Sequence, residues 1–200
     1  MANQNTPSGF RPVENRNGSP YCGITRTVLI PAAATTAFFQ GDFVSFTGEQ
    51  EVSNVDGSFY EVVALSAAGG TRIAGAITGI STIDVEALQF DGHRTAGAKT
   101  GNVRVQIPMD RDVIYAAQED SDGGALVSGD AQRNVNFVVQ AGDATTNTSG
   151  WEIDSSTVTN ADTASLRLMK YSPSIKNESG VNAKWYVAIN LDAYNSKVGV

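Results

Sequence analysis

Apolar residues along this chain recur in short runs with a period of two, the spacing of strands with one buried face, and no stretch sustains the spacing of an amphipathic helix. Asn102 to Ile107 alternates most cleanly, setting Val103, Val105 and Ile107 on one side and Asn102, Arg104 and Gln106 on the other. Val113 to Ala117 follows a corner at Pro108 to Asp112, and the pattern predicts a hairpin between the two runs. Ile24 to Ile30 reads as a strand stopped by Pro31, and Phe38-Phe39 and Phe43 to Phe46 flank a Gln40-Gly41-Asp42 turn. Val55 to Ser58 reads as a hairpin tip before a strand over Phe59 to Leu65. Arg72 to Ile80, with small residues on both sides, reads as a crowded and covered strand. Val135 to Gln140, Ser165 to Tyr171 and Lys184 to Asn190 complete the set, with polar loops at Ala141 to Gly150 and Ser172 to Asn182. The Ala32 to Ala37 run is too short and too rich in threonine for a helix. Roughly ten strands at short spacing predict an all-β protein, an antiparallel β-sandwich or barrel.

One segment stands outside this pattern. Residues 1–23 form a polar arm with prolines at 7, 12 and 20 and glycines at 9, 18 and 23, a composition that predicts no regular element. Fixing about fifteen such residues costs roughly 15–30 kcal/mol of entropy. Burying Phe10 and Tyr21 returns about 4–6 kcal/mol each and Val13 about 2. The arm therefore needs a surface, whether of its own domain, of a sister subunit or of a different protein. The all-β domain takes residues 24–200, and the acidic, glycine-rich stretch at 119–124 is where composition would divide it into two lobes.

Composition narrows the function. Two hundred residues can bury a real core without staples, and a net charge of −7 opposes any general affinity for nucleic acid or for an anionic membrane surface. One cysteine, Cys22, excludes an internal disulfide, and one histidine, His93, excludes a multi-histidine metal site. Cys22 without a partner histidine reads as a small apolar filler. No apolar run is long enough to span a bilayer, and the opening residues lack the basic and apolar regions of a signal peptide, so synthesis in the cytoplasm is expected.

The sites that suggest chemistry each fall short. Gly92 to Thr100 nearly spells a phosphate-binding loop, but Ala98 separates Gly97 from Lys99 and a strand follows where a helix is needed. Asp120-Ser121-Asp122-Gly123-Gly124 begins like a calcium loop, yet the later ligand positions hold Gly124 and Ala131, so a surface turn is expected. Asp110 with Asp112 and Glu152 with Asp154 are paired carboxylates two apart, which share a strand face without a cleft between them. With no serine elbow and no second histidine, no catalytic residues and no cofactor are expected. Trp151, Tyr171, Trp185 and Tyr186 would suit either the core or stacking on sugars.

Several segments match a known pattern. Ser8-Gly9-Phe10-Arg11-Pro12-Val13, Asn17 to Tyr21, Gly41 to Val44, Thr148 to Asp154, Leu166-Arg167-Leu168 and Asn182 to Asn190 together resemble the cement, or head decoration, proteins of short-tailed bacteriophages. The resemblance spans most of the chain but not Ser66 to Arg104. It implies a structural virion protein on the outer capsid surface, an all-β body that reinforces contacts between major capsid protein subunits. It also implies a homotrimer or other homo-oligomer, with no chemistry required. On this reading the arm grips the shell or a sister subunit through Phe10, Arg11, Val13, Arg16 and Tyr21. The alternative from another class is a carbohydrate- or receptor-binding β module on a virion surface.

Overall fold

The computed structural model describes residues 3–84, 87–89 and 92–195, so the first two residues of the arm and the last five of the body lie outside it. Fifteen strands and two short 3-10 turns, at Ser128–Asp130 and Ala193–Asn195, make up the regular structure of the described residues. The all-β expectation holds, with more and shorter strands than the pattern suggested.

Residues 25–108 build the first sheet. Its strands are β2 (Thr25–Ile30), β4 (Phe43–Val52), β5 (Phe59–Leu65), β6 (Gly75–Ala76), β7 (Gly79–Asp84), β8 (Ala87–Gln89) and β10 (Val103–Pro108), ordered β6-β4-β5-β2-β10-β7-β8. A two-residue ribbon of β3 (Phe38–Phe39) and β9 (His93–Arg94) lies apart from it. β10 buries Val103, Val105 and Ile107 as its alternation requires, against Val28, Ile30, Val44 and Val63. On its other face Gln106 links to Thr25 and Thr27 of β2 at 2.8 and 2.9 Å, which holds the register from the polar side. The run from Arg72 to Ile80 is covered as expected but broken. Ile77 N–H donates to Asp42 and Thr78 N–H to Gln106, so the two halves serve different strands.

The second sheet joins β1 (Arg11–Asn15) to the C-terminal half, in the order β1-β11-β15-β14-β12-β13. These strands are β11 (Val113–Gln118), β12 (Asn134–Val138), β13 (Glu152–Thr159), β14 (Leu166–Tyr171) and β15 (Lys184–Ile189). A parallel bridge between Glu119 and Ile153, with Asp120 N–H donating to Ile153 C=O at 3.0 Å, ties the end of β11 to β13. Five strands thereby curl into a half-barrel around Tyr115, Phe137, Trp151, Ile153, Leu168, Trp185 and Val187. Phe10, Phe43, Ile73 and Ala76 pack into the same cluster, so the core is continuous from barrel to first sheet.

Two expectations change here. The hairpin between Asn102–Ile107 and Val113–Ala117 does not form: β10 pairs with β2 and β7, β11 pairs with β1 and β15, and the corner between them carries the chain from one sheet to the other. The buried faces of β10 and β11 belong to different apolar clusters, so the two strands pair within different sheets. The chain changes sheet at that corner, while Glu119–Gly124 stays within the second sheet through Glu119 N–H to Ala183 C=O. The arm, expected to hold no regular element, contributes β1. Pro12 is tolerated because β1 is an edge strand, and the register slips around Val13 where Pro12 lacks a donor.

Asp42 closes the turn between β3 and β4. One carboxylate oxygen accepts from Phe39 N–H at 2.8 Å, the Ser149 hydroxyl lies beside the carboxyl, and the group is 2% exposed. Burial pushes its carboxyl up to about 6 against the hydrogen bonds that favour the anion. An acid whose folded value is raised contributes stability that is full below its unfolded value, near 4, and is lost as pH climbs through 6. Asp42→Asn, which keeps an acceptor for Phe39, is expected to erase on the order of 2–3 kcal/mol of this pH dependence. Urea unfolding of both proteins at pH 4.5 and 7.5 checks it. Parallel pH profiles for the two proteins would refute it.

Candidate functional site

The arm residues singled out by sequence fall on this chain's own body. Phe10, expected as an anchor on another surface, is fully buried; it stacks on Phe43 at 4.2 Å between ring centroids and meets Phe137 edge-on at 6.1 Å. Val13 is half-buried and its C=O accepts from Tyr21 N–H, while Tyr21 packs against the barrel core and donates its hydroxyl to Ile24 C=O. Arg16 is exposed but committed: its guanidinium donates to Ile189 C=O at 3.2 Å and lies 3.9 Å from Asp112. Arg11 alone stays exposed and outside any ion pair among the described residues. Nearer the start, Asn3 bonds both Glu178 and Val181, and Thr6 N–H donates to Gln118. The surface that orders the arm is its own domain, which supplies the backbone partners that the arm's side chains could not.

The chemical candidates resolve into structural roles. In the near phosphate loop, Arg94 is 1% exposed and donates to the carbonyls of Ala34 at 2.6 Å, Thr36 at 2.9 Å and Ala32 at 3.4 Å, which pins the 32–36 loop. Desolvation lowers the pKa of its guanidinium. His93 stacks on Phe39 and its Nδ1 lies 2.6 Å from Asn147 Oδ1. Asp110 accepts from Asp112 N–H in a surface turn, so that pair faces solvent. Glu152 and Asp154 do share a face of β13, and Asp120 and Asp122 join Asp154 there. Cys22, read as an apolar filler, is exposed.

Trp151 and Trp185, two of the rings that a sugar would need, are buried. Trp151 stacks on Phe137 at 5.1 Å, and the Trp185 ring lies tilted against Tyr171 at 3.9 Å. Tyr171 is spent inside as well, donating its hydroxyl to Leu126 C=O, and Tyr186 lies beneath the Lys170 ammonium at 5.1 Å.

What the surface does present is the far end of the β4–β5 hairpin. Thr47 to Gln50 and Asn54 to Phe59 are exposed, and the tip carries Val52, Val55 and Phe59, the last 70% exposed. Val52 stands directly opposite Phe59 in the ladder, so the two form one apolar patch. The tip is braced rather than loose. Arg104 pairs with Asp56 at 3.1 Å, Tyr60 donates to Asp56 at 2.8 Å, and Asn102 donates to Val52 C=O at 3.2 Å. Hydrogen bonds from Ser58 N–H and Tyr60 lower the pKa of Asp56 and favour the anion that Arg104 needs. The sequence pattern read Val55–Ser58 as a turn and gave no sign that the neighbouring valine and phenylalanine face solvent. Comparison with family models, curated proteins and solved structures returns no match.

Proposed function

We propose that this chain is a structural capsid protein that binds the outer surface of a bacteriophage shell and reinforces the contacts between major capsid protein subunits. The observation that carries the reading is the braced apolar hairpin tip, where Val52, Val55 and Phe59 are all exposed and Val52 stands opposite Phe59 in the ladder. An exposed aromatic of this kind returns about 4–6 kcal/mol when a partner covers it. The segment resemblance described above, Ser8 to Val13 and Asn182 to Asn190 among others, points to the same class. The arm has a different part in this reading from the one its composition suggested. It stiffens the body so that the tip is presented in one orientation, which lowers the ordering cost of docking. Action as a homotrimer or other homo-oligomer would multiply a modest single contact through effective concentration.

Phe59→Asp places a charge in the patch without touching the core. It is expected to weaken binding of the purified protein to undecorated phage heads by more than about tenfold, with an unchanged melting temperature. Sedimentation of heads with wild type and variant measures this directly. Equal co-sedimentation of the two would remove the hairpin from the interface.

A further inference from the structure

We propose that the turn of the arm after β1 is a site of spontaneous covalent modification, in which Asn17 loses its side-chain amide as ammonia and becomes aspartate or isoaspartate. Asn17-Gly18 is the single Asn-Gly step in the sequence. Residues 16–20 are all exposed, and a Cβ placed on Gly18 would meet nothing within 4 Å, so the pair stands in open solvent. The attacking nitrogen belongs to a glycine, with no side chain to hinder its approach to the neighbouring amide. The turn does more than expose the pair. Asn17 Oδ1 accepts from Ser19 N–H at 2.9 Å and from Ser19 Oγ at 2.7 Å. Asn15 Nδ2 in turn donates to Ser19 Oγ at 3.1 Å, which leaves the hydroxyl proton for the Asn17 carbonyl. Together these donors form a small oxyanion hole over the side-chain carbonyl of Asn17 itself.

The reaction needs only solvent. The Gly18 nitrogen, its proton taken by hydroxide, attacks Cγ of Asn17, and the new N–Cγ bond pushes negative charge onto Oδ1, where the two Ser19 donors already point. The Cγ–Nδ2 bond then breaks and Nδ2 leaves as ammonia, taking a proton from water, so that a five-membered imide joins residues 17 and 18. Water opens the imide at either carbonyl: cleavage at Cγ gives aspartate, and cleavage at the backbone carbonyl gives isoaspartate, with the chain running through Cβ. The restraint on this sequence is the hydrogen bond from Gly18 N–H to Asn15 C=O at 2.8 Å, which has to break before attack. Isoaspartate adds a backbone atom to a turn that is closed by Asn15 N–H on Ser19 C=O at 2.8 Å and followed by Tyr21 N–H on Val13 C=O. The lengthened turn no longer fits these bonds, and the return segment from Ser19 to Tyr21 is loosened from β1.

The test holds the full chain, folded, for days at mildly alkaline pH and follows tryptic peptides by mass spectrometry, with isoaspartate counted by enzymatic carboxyl methylation. The expected result is the mass gain of amide-to-acid conversion in the peptide Asn17–Arg26 ahead of every other asparagine, with ammonia released in step and isoaspartate as a product. Ser19→Ala removes one donor from the Asn17 carbonyl at an exposed position and is expected to slow conversion about threefold with an unchanged melting temperature. Asn17→Gln lengthens the side chain so that attack would need a six-membered ring, and its peptide is expected to convert more than about tenfold slower. No gain in Asn17–Arg26, a gain that comes first at another asparagine, or a Ser19→Ala protein that converts as fast as wild type would each overturn the proposal.

Discussion

Phe10→Ala is expected to destabilise the whole protein by about 3–5 kcal/mol and to release the arm, because Phe10 is the residue through which residues 3–15 enter the core. Its ring is fully buried and stacked on Phe43 of the first sheet while meeting Phe137 of the barrel. Truncation leaves a cavity where the two sheets share one core, and rigid neighbours on both sides prevent collapse into it. Equilibrium urea unfolding measures the loss, and limited proteolysis reports cleavage within residues 3–20 ahead of the body. A loss below about 1 kcal/mol would mean that the arm is dispensable to the fold. The same contact makes deletion of the arm a poor probe of partner binding. Removing it would take away an edge strand and a core residue together.

Gly9→Ala is expected to cost about 2–4 kcal/mol at a residue with almost no side chain to lose. Gly9 holds a φ of 66°, in the left-handed region, and a Cβ there would stand 2.5 Å from Ser149 Cβ and 2.8 Å from Gly41 C=O. Gly41, with a φ of 97°, returns the constraint, since its own Cβ would meet Ser8 C=O at 2.9 Å. Two backbones cross here at a distance only glycine permits, and Phe10 N–H donates to Gly41 C=O at 3.0 Å in the crossing. Gly9→Ala and Phe10→Ala act on one docking event, so the double variant should lose clearly less than the sum of the two. Additive losses in a double-mutant cycle would separate the crossing from the anchor.

The residue pattern read the body well where one face of a strand is buried and the other is wet. Val103, Val105 and Ile107 were legible because Arg104 and Gln106 lie between them, and Trp185, Val187 and Ile189 likewise alternate with half-exposed or small residues. It failed where pairing is set by the partner rather than by the strand. β1 was invisible because its hydrogen bonds go to β11, about a hundred residues away in sequence, and edge position neutralises the proline that argues against a strand. The supposed hairpin at Pro108–Asp112 failed for a related reason: closeness in sequence favours pairing, but the apolar faces of β10 and β11 belong to different layers.

The candidate surfaces were less legible still. Val52, Val55 and Phe59 carry the same letters as core residues, and only the reach of the hairpin beyond the sheet exposes them. Asp120 and Asp122 read as a turn and Asp154 as part of a strand face; that the three lie together follows from the Glu119–Ile153 bridge, which joins segments over thirty residues apart.

By itself, then, the sequence determined an all-β chain with no repeated helical face, a net charge of −7, one histidine and one cysteine. Those properties are local or summed, and composition and period carry them. Tertiary structure alone decided that the arm packs on its own domain, that five strands curl round one core with a bridge between Glu119 and Ile153, and that the hairpin tip is left uncovered. Each of these depends on contacts between segments far apart in the chain, whose free energies exist only once both segments are in place.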